Sequence, residues 1–410
     1  MIPRSGMKDG STHSLLKLLE PCPPEEFLSS TWGKTYSHIE GWRGKFAHLL
    51  PWNRLNEILE QHRLDFPRLR LALDGKSLPA SSYLKHTRNV RQKTSIPRLL
   101  SGELTRQLRE GATLVLDAVD ELYSPLRELA EGLEFVFHEH VQINLYAGWQ
   151  TSRGFDLHFD DHDVFILQVA GRKRWKVYGM TEPHPLAQNR GSIAKPEDKP
   201  LWEETLQDGD LLYLPRGWWH LAEPLAEPTL HLTVGVHNRT GLDLLRFLTE
   251  SLGRSAAFRQ DLPRFSSISE QQAHMNQLRA ELLARWDEHL LKRYLDNYDA
   301  LAEPRPLVDL PRSVMDKCLA PADNALVRLT APRPINFILE DKVLRFSCNK
   351  RLWRVASETF DIFRQLEDKR TCSVRELCAC VEDKIDAQSV RAFIGEMIFH
   401  NLMAVVESHS

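Results

Sequence analysis

The sequence predicts an α+β protein built around an antiparallel β-barrel or jelly roll, and three patterns support this prediction. Between Val141 and His237, short runs of alternating apolar and polar residues follow one another without helical periodicity. Closely spaced runs of this kind are typical of antiparallel strands that close into a barrel. After Asn238 the apolar residues recur at helical intervals, and from about Asn324 short strands alternate with helices.

Length and composition are those of an ordinary globular protein. The chain has 410 residues, of which 42% are hydrophobic and 27% charged, so we expect roughly two to four domains. Its net charge of −3 provides no long-range attraction to nucleic acid or to anionic membranes. We find neither a secretory signal nor an apolar run of about 18 residues, so we expect no membrane contact.

The cysteines indicate a reducing compartment. None of the six forms a C-x-x-C pair, and they are sparse for a chain of 410 residues. Thiols in this pattern are usually buried and reduced, so we predict a cytoplasmic protein. The six are Cys22, Cys318, Cys348, Cys372, Cys378 and Cys380.

The segment before the barrel is predicted to combine loops with a few helices. Residues 1 to about 50 are loop-rich, with a proline cluster at Pro21, Pro23 and Pro24. The later elements are a helix at Asn53 to Gln61, a strand at Arg68 to Leu73, and helices near Pro97 to Glu110 and Val119 to Glu131. The basic stretch from Lys85 to Lys93 is either a substrate-facing loop or a solvated linker.

Six strands are predicted for the barrel itself. Gly171 after Ala170 makes a tight hairpin plausible, and the polar insert between Tyr178 and Asp210 is predicted to be loop. The strands are Val141 to Tyr146, Phe155 to Phe159, Asp163 to Val169, Arg172 to Tyr178, Asp210 to Leu214 and Thr229 to His237.

A long helix is predicted after the barrel. Apolar residues repeat every three or four positions from Met275 to Leu295, which makes one apolar stripe that must be buried. Packing within the chain is the default, and a second subunit is the alternative. The C-terminal predictions are strands at Leu326 to Leu329, Asn336 to Leu339, Val343 to Phe346 and Met403 to Val406, and helices at Ala356 to Glu367, Val374 to Glu382 and Ala387 to His400. This mixed order resembles a winged helix.

A candidate metal site lies in the barrel region. His158 and Asp160 are two residues apart, so on a strand they would reach one metal from the same face. His220, in the run from Asp208, is the candidate third ligand. Two histidines and one carboxylate leave three coordination positions open, which suits non-haem iron(II). H-x-D alone is a weak pattern, and Asp161 is an alternative carboxylate that should point away from His158.

Lys173 strengthens this interpretation. It alternates with Trp175 and Val177, whose apolar side chains should face inward, so Lys173 should be buried with them. A buried ammonium without an anion is costly, and an anionic cosubstrate would supply the missing charge. The alternative places Lys173 in solvent within a basic run.

Two strands carry one polar side each. Gln142, Asn144 and Tyr146 share a face of the first barrel strand, and His231 and Thr233 share a face of the last. If these faces line the barrel, they can hydrogen-bond a carboxylate. Solvent exposure of the first face and an ordinary structural role for His231 are the competing interpretations.

Taken together, these residues show a family resemblance. The positions Asn144, His158-x-Asp160, Asp163 to Gln168 and Gly171-x-Lys173-x-Trp175 match in order and spacing the pattern of the JmjC oxygenases. Asp208 to Gly217, followed by His220, resembles the strand and turn that carry the family's third ligand. Within that family the chain is most similar to the ribosomal oxygenases, a branch of cupin-like protein hydroxylases.

The resemblance implies a fold, two cofactors and a set of site residues. The fold would be a double-stranded β-helix of the cupin type, with His158, Asp160 and His220 binding iron(II). Lys173 would pair with the distal carboxylate of 2-oxoglutarate. The remaining expected contacts are Asn144, Tyr146 and Thr233 with 2-oxoglutarate, and His231 and Gln168 with the substrate.

The resemblance also implies a function and a domain order. We expect a 2-oxoglutarate-dependent dioxygenase that hydroxylates an amino-acid side chain of a protein or peptide, which could be ribosomal. Residues 1–240 would form the catalytic domain, residues 241–310 a helical segment that makes a homodimer, and residues 311–410 a winged helix. For the last two parts, this expectation rests on the order of the predicted helices and strands.

Other functions remain open at this stage. The enzyme could oxidise a small molecule or a modified RNA base, or act as a histone-type demethylase. The chain could also be a non-catalytic cupin-like protein that binds partners through its winged helix, or a metal-binding cupin without 2-oxoglutarate. Nucleic-acid binding is not expected, since acidic residues such as Glu376 and Glu382 weaken a basic face in the C-terminal region.

Overall fold

Alternation between apolar and polar residues builds the barrel of the first of two compact units. The computed structural model describes residues 11–89, 94–189, 192–308, 310 and 321–406. By its internal contacts the described chain divides into two units, with the boundary between Asn238 and Arg239. None of the described helices combines the length and apolar character that crossing a membrane requires.

The first unit contains two antiparallel barrel sheets and a separate two-stranded sheet of β4 and β5. Its helices are α1 (Ser11–Leu19), α2 (Pro24–Ser30), α3 (Trp52–Gln61), α4 (Ser101–Arg109) and α5 (Ser124–Phe137). Its strands are β1 (Ser37–Ile39), β2 (Leu69–Leu73), β3 (Lys76–Ser77), β4 (Leu84–Asn89), β5 (Thr94–Leu99), β6 (Thr113–Leu116), β7 (Val141–Gly148), β8 (Asp163–Ala170), β9 (Lys173–Val177), β10 (Trp202–Leu206), β11 (Leu211–Leu214), β12 (His220–Pro224) and β13 (Thr229–Val236). The larger sheet has the order β1-β11-β8-β13-β7-β6-β2-β3, and the smaller has the order β10-β9-β12.

The two faces of the larger sheet have different surroundings. Val141, Ile143 and Leu145 of β7 are fully buried in the main core, which also contains Leu15 of α1 and Leu133 of α5. The alternate residues of β7 face the other way. A second apolar cluster lies between the two sheets, so the barrel interior is packed with side chains at one end. The antiparallel barrel predicted from the sequence is confirmed, with β7, β8, β9, β11 and β13 close to their predicted bounds.

Three predictions for this unit were wrong. Phe155 to Phe159 is not a strand, because only His158 pairs, in an isolated bridge with His220. The polar insert before Asp210 contains β10, which pairs with β9 and buries Leu206. The N-terminal residues described include α1 and α2, because three leucines of α1 reach the main core.

The basic stretch also differs from its prediction. Residues Lys85 to Asn89 belong to β4, which pairs with β5 in a separate two-stranded sheet. They are therefore neither a loop nor a linker. Residues 90–93 lie outside the described part of the chain.

The second unit begins with helices and ends in a mixed region. Its helices are α6 (Gly241–Leu252), α7 (Ala256–Arg259), α8 (Ile268–Arg285), α9 (Leu290–Leu301), α10 (Phe360–Lys369), α11 (Val374–Ala379) and α12 (Ala387–Phe399). Its strands are β14 (Leu326–Leu329), β15 (Ile338–Glu340), β16 (Val343–Cys348), β17 (Arg351–Ala356), β18 (Cys372–Ser373) and β19 (Met403–Val406). They form two sheets of order β18-β14-β19 and β15-β16-β17.

The helical stretch predicted from Met275 to Leu295 is divided between two helices. The chain leaves the helical conformation at Trp286, which caps α8, and resumes it at Leu290 in α9. The stripe is only partly buried, because Met275 and Trp286 are 55% and 51% exposed. Ser373 and Glu376 form a capping box at the start of α11.

Candidate metal centre

A two-residue backbone bridge brings the candidate ligands together. The backbone N–H of His158 donates to the carbonyl of His220 at 3.2 Å, and the N–H of His220 donates back at 2.8 Å. This pairing sets the two imidazole rings side by side, with centroids 4.4 Å apart. One potential ligand atom from each of His158, Asp160 and His220 then lies within 4.8 Å of the other two.

Backbone carbonyls orient both imidazole rings. The Nδ1 of His158 lies 2.7 Å from the carbonyl oxygen of Asp156, and the Nδ1 of His220 lies 3.0 Å from that of Trp218. Each Nδ1 must carry the proton to donate to a carbonyl, so each Nε2 presents a lone pair. The Nε2 of His220 is 3.6 Å from the Oδ2 of Asp160. Metal-binding histidines are usually held in this way by a partner on the second nitrogen.

Electrostatics favour the neutral form of His220, which is the form that can bind a metal ion. Burial, and then the nearby His158, lower the pKa of His220 well below its usual range. The alternative carboxylate, Asp161, turns toward His162, whose Nδ1 is 3.1 Å from its Oδ1. Within the described residues, no other group of three histidines, cysteines or carboxylates brings its ligand atoms as close.

Lys173 is buried in the barrel without a carboxylate. It is 6% exposed, and the described residues provide no carboxylate within 4.0 Å of its ammonium group. Its Nζ lies 5.8 Å from the centre of the Trp175 ring. Burial lowers the pKa of Lys173 to about 8, so the ammonium form still predominates at neutral pH. By contrast, Lys176, on the opposite face of β9, pairs with Glu223 at 3.1 Å.

Aromatic rings lie near Lys173 on the barrel wall. His231 stacks on Tyr146 with ring centroids 5.0 Å apart, and its edge meets Trp175 at 5.4 Å. Burial and the nearby Lys173 lower the pKa of His231 well below its usual value, so this imidazole is neutral. Its buried Nδ1 has no hydrogen-bond partner among the described residues. Burial raises the pKa of Tyr146, which therefore keeps its phenolic proton.

The amide of Asn144 is held in one orientation. Its Oδ1 accepts hydrogen bonds from the backbone N–H of Ala118 and from the Nε2 of Gln142, both at 2.9 Å. Ala118 adopts a left-handed conformation with φ of 51°, which is unusual for a residue other than glycine. Because both donors meet Oδ1, the Nδ2 group of Asn144 must point away from them. The side chain of Asn144 also forms a hydrogen bond with the phenol of Tyr146.

The other predicted contacts are placed by the strand register. Thr233 of β13 is directly opposite Asn144 of β7 and is half-buried. Gln168 is fully buried, and its Nε2 donates to the carbonyl of Ala170 and the hydroxyl of Thr229, both at 2.9 Å. These bonds hold the Gln168 amide at the β8–β9 hairpin, and its contact with substrate stays a prediction.

Sequence reasoning missed two residues of this region, Ala118 and His162. Gln142 was predicted to share a face with Asn144, but its hydrogen bond to Asn144 was not predicted. The ring of His162 lies over Gly235, where an added Cβ would be 2.7 Å from two ring atoms. The glycine on the polar face of β13 was the available signal, since glycine often marks close approach of another group.

Comparison with known proteins identifies the domain that carries this site. Residues 121–244 match the JmjC domain family. The chain is 27% identical over 305 residues to the bifunctional lysine-specific demethylase and histidyl-hydroxylase NO66 of Drosophila pseudoobscura, covering 69% of this chain and 30% of the relative. It is 30% identical over 262 residues to NO66 of Drosophila simulans, covering 60% of this chain and 29% of the relative. The chain thus spans less than a third of the length of these two relatives.

Solved structures show the same fold over nearly the whole chain. The ribosomal oxygenase YcfD of Escherichia coli matches with a TM-score of 0.55 and 15% identity, covering 94% of this chain and 98% of that chain. A YcfD structure in complex with cobalt and 2-oxoglutarate also matches, with a TM-score of 0.55 and 15% identity over 94% of this chain and 99% of that one. At this identity the likeness establishes the fold.

The site geometry predicts that removal of one imidazole will abolish tight metal binding. Cobalt(II) titrated anaerobically into wild-type protein should bind one ion per chain, followed by its visible d–d absorption. His220→Ala should weaken binding by at least about 10-fold, since second-shell changes alone typically cost 10–100-fold. His289→Ala is the control, because His289 is 70% exposed and lies outside the group. Equal affinity in the wild type and His220→Ala would contradict the assignment.

Proposed function

We propose that the chain is an iron(II)- and 2-oxoglutarate-dependent oxygenase that hydroxylates an amino-acid side chain of a protein or peptide, because residues 121–244 match the JmjC domain family. One observation carries the proposal. Lys173 is a buried cation with no carboxylate partner among the described residues, and it lies in the barrel that also holds the His158, Asp160 and His220 group. An ammonium in this position is costly unless an anion joins it.

The donor set fits iron(II). His158 and His220 would each contribute Nε2, and Asp160 a carboxylate oxygen. This two-histidine, one-carboxylate set occupies three coordination positions and leaves the others for exogenous ligands. The fixed Nδ1–H groups hold both rings ready for the metal, so little reorganisation accompanies binding.

The barrel interior fits 2-oxoglutarate. Lys173 would pair with the distal carboxylate, which supplies the anion that the interior lacks. Asn144 would donate through Nδ2, and Tyr146 through its phenol, which keeps its proton. Thr233, opposite Asn144, would line the same wall. His231 stays neutral, so it does not add a second positive charge beside Lys173.

When bound, iron(II) would activate dioxygen as the oxidant, with 2-oxoglutarate supplying two of the four electrons that reduce it and the hydroxylated C–H bond supplying the other two. The chain's own residues bind and orient these groups. The apolar cluster between the sheets, which includes Trp175 and Trp218, excludes water from the neighbouring interior. Lys173 sets the position of the cosubstrate, and the backbone bridge between His158 and His220 sets the position of the metal.

The relatives support a protein substrate. NO66 is named as a histidyl-hydroxylase and a lysine-specific demethylase, and YcfD as a ribosomal oxygenase. We propose side-chain hydroxylation of a ribosomal protein as the first activity to test. Demethylation, oxidation of a small molecule or modified RNA base, and a non-catalytic binding role are the alternatives. The described cysteines are all free thiols, which suits the cytoplasm.

We further propose three functional parts. Residues 1–240 form the catalytic domain, residues 241–310 the dimerisation segment, and residues 311–410 a winged helix. The helices α10, α11 and α12 with the sheet β18-β14-β19 support the last assignment, because a winged helix also combines three helices with a small sheet. Residues 311–320 lie outside the described part of the chain.

An unpartnered apolar surface supports the homodimer. Residues in and beside α6 to α9 expose large apolar side chains, and exposed apolar surface concentrated in one segment is typical of subunit interfaces. The most exposed are Phe265 at 97%, Ile268 at 85% and Leu262 at 71%. Others are Leu242, Leu245, Met275, Leu283, Trp286, Leu291 and Leu295.

The decisive measurement is anaerobic titration of iron(II)-loaded protein with 2-oxoglutarate, followed by the visible charge-transfer band. Lys173→Met should weaken 2-oxoglutarate binding about 10- to 100-fold, since a charged hydrogen bond contributes about 1.5–3 kcal/mol. Iron affinity should be retained. The apo protein should be at least as stable as wild type, because methionine removes the buried charge while keeping the side-chain length.

Arg174→Met is the matched control. Arg174 is the next residue on β9 and faces solvent, so its replacement should leave 2-oxoglutarate affinity unchanged. Unchanged affinity in Lys173→Met would contradict the cosubstrate assignment. A folded, metal-loaded wild-type protein without the band would contradict the oxygenase proposal and favour a metal-binding cupin.

Because Gln142 helps to orient the Asn144 amide, replacement of Gln142 should weaken the binding of 2-oxoglutarate. Gln142→Leu removes one donor to the Asn144 Oδ1 and should weaken 2-oxoglutarate about 2- to 10-fold, the size of a net hydrogen bond of about 0.5–1.5 kcal/mol. Gln142→Glu should weaken it further, because a carboxylate attracts Nδ2 and favours the flipped amide. Iron affinity should not change, and Gln107→Leu on α4 should bind as wild type does. The interpretation fails if Gln142→Glu binds 2-oxoglutarate as tightly as wild type.

If the chain is a homodimer, charged residues introduced into the proposed interface should lower its molecular mass in solution. Wild-type protein should elute with twice the chain mass of 47.3 kDa in size-exclusion chromatography with light scattering. Phe265→Glu/Ile268→Glu should shift it toward the monomer, because carboxylates cannot be buried in an apolar interface without cost. Leu201→Glu is the control, since Leu201 is 63% exposed in the first unit. A wild-type monomer would rule the dimer out.

A further inference from the structure

One segment of the chain is strongly basic although the whole chain is weakly acidic. From Gly75 to Gly102 there are six lysines and arginines and no aspartate or glutamate. The complete chain has 53 lysines and arginines against 56 aspartates and glutamates. Net charge therefore conceals a local concentration of cations.

This segment contains a hairpin that belongs to neither barrel sheet. Strands β4 and β5 pair only with each other among the described strands. The base of the hairpin is anchored in the main core by Tyr83 and Leu84, and the N–H of Leu100 donates to the carbonyl of Tyr83 at 2.9 Å. Beyond this base, the described side chains that are exposed are all polar or charged.

Two cations face each other across the hairpin. Lys85 is directly opposite Arg98 in the strand register, and both are exposed. Like charges at opposed positions destabilise a sheet, and no carboxylate among the described residues forms an ion pair with either side chain. On the opposite face, His86 is paired with Asp65 at 2.9 Å. Among the hairpin side chains that the structure describes, the cations without a carboxylate partner are therefore Lys85 and Arg98, on one face.

That face borders a cavity of about 930 Å³ between the hairpin and helices α3 and α4. Its lining includes the cation Arg63, and hydrogen-bonding side chains of Asn56, Thr87 and Ser101, besides Arg98. Glu60 is the one carboxylate among the lining residues. Arginines, amides and hydroxyls are the groups with which proteins contact the phosphates and sugars of nucleic acids.

We propose that this hairpin face and cavity form a docking site for the phosphodiester backbone of RNA. Charge complementarity selects a polyanion, because Arg63, Lys85 and Arg98 lie in or beside a cavity whose lining has one carboxylate, Glu60. The choice of RNA rests on the proposed function, since a ribosomal protein substrate is presented beside RNA. The site would hold the enzyme near its substrate by contacts that are independent of the metal centre.

Fluorescence anisotropy of full-length protein with a labelled 20-nucleotide RNA stem-loop tests the proposal. The wild type should bind at 50 mM KCl and weaken steeply at 200 mM, because phosphate contacts release counterions. Lys85→Glu/Arg98→Glu should bind at least about 10-fold more weakly, with the salt slope reduced by about two. Polyglutamate of equal charge should compete poorly.

Lys195→Glu/Lys199→Glu is the matched control, because it makes the same charge change at two exposed lysines between β9 and β10. It should bind RNA as wild type does. An equal loss in both variants, tight binding of polyglutamate, or no RNA binding up to about 100 µM protein would overturn the proposal. The iron and 2-oxoglutarate band, measured on the same hairpin variant, should be unchanged and separates failure of docking from failure of the oxygenase proposal.

Discussion

The buried ammonium of Lys173 is the constraint on which the site depends. Strand alternation places it inside the barrel with Trp175 and Val177, where burial alone lowers its pKa to about 8. The neutral ring of His231 lies near enough for Lys173 to lower its pKa further. A charge held this way is stabilised only when an anion enters, so the interior is complementary to a small carboxylate. The proposed function follows from this imbalance together with a metal group at the same barrel.

The rest of the site is a rigid frame around that cation. Paired backbone groups join His158 to His220, carbonyl oxygens hold both imidazole rings, and two N–H donors hold the amide of Asn144. All of these contacts are made between groups of the chain itself. By restricting the side chains that would bind metal and cosubstrate, they reduce the conformational cost of binding. The left-handed Ala118 is part of this frame, because its N–H meets the Asn144 oxygen directly.

Two other surfaces suit different partners. The helical segment that follows the barrel exposes Phe265 and Ile268 almost completely, which suits a second apolar surface. The hairpin of β4 and β5 exposes Lys85 and Arg98, which suits a polyanion. The first would set the oligomeric state, and the second would set where the enzyme acts. Neither depends on the chemistry at the metal centre, so variants can separate the three roles.

The sequence by itself determined the barrel, the three candidate ligands and the inward side of β9. Period-two alternation and residue type are local features of the sequence, so they can be recognised before the fold is known. Only the tertiary structure decided how His158 meets His220, because that bridge joins segments more than 60 residues apart and replaces the strand expected around His158. Contacts between distant segments also determined the roles of Gln142 and Ala118, the structural bonds of Gln168, and the opposition of Lys85 to Arg98. Such contacts depend on which residues of two distant segments lie opposite each other, and a single sequence does not contain this information in a local pattern.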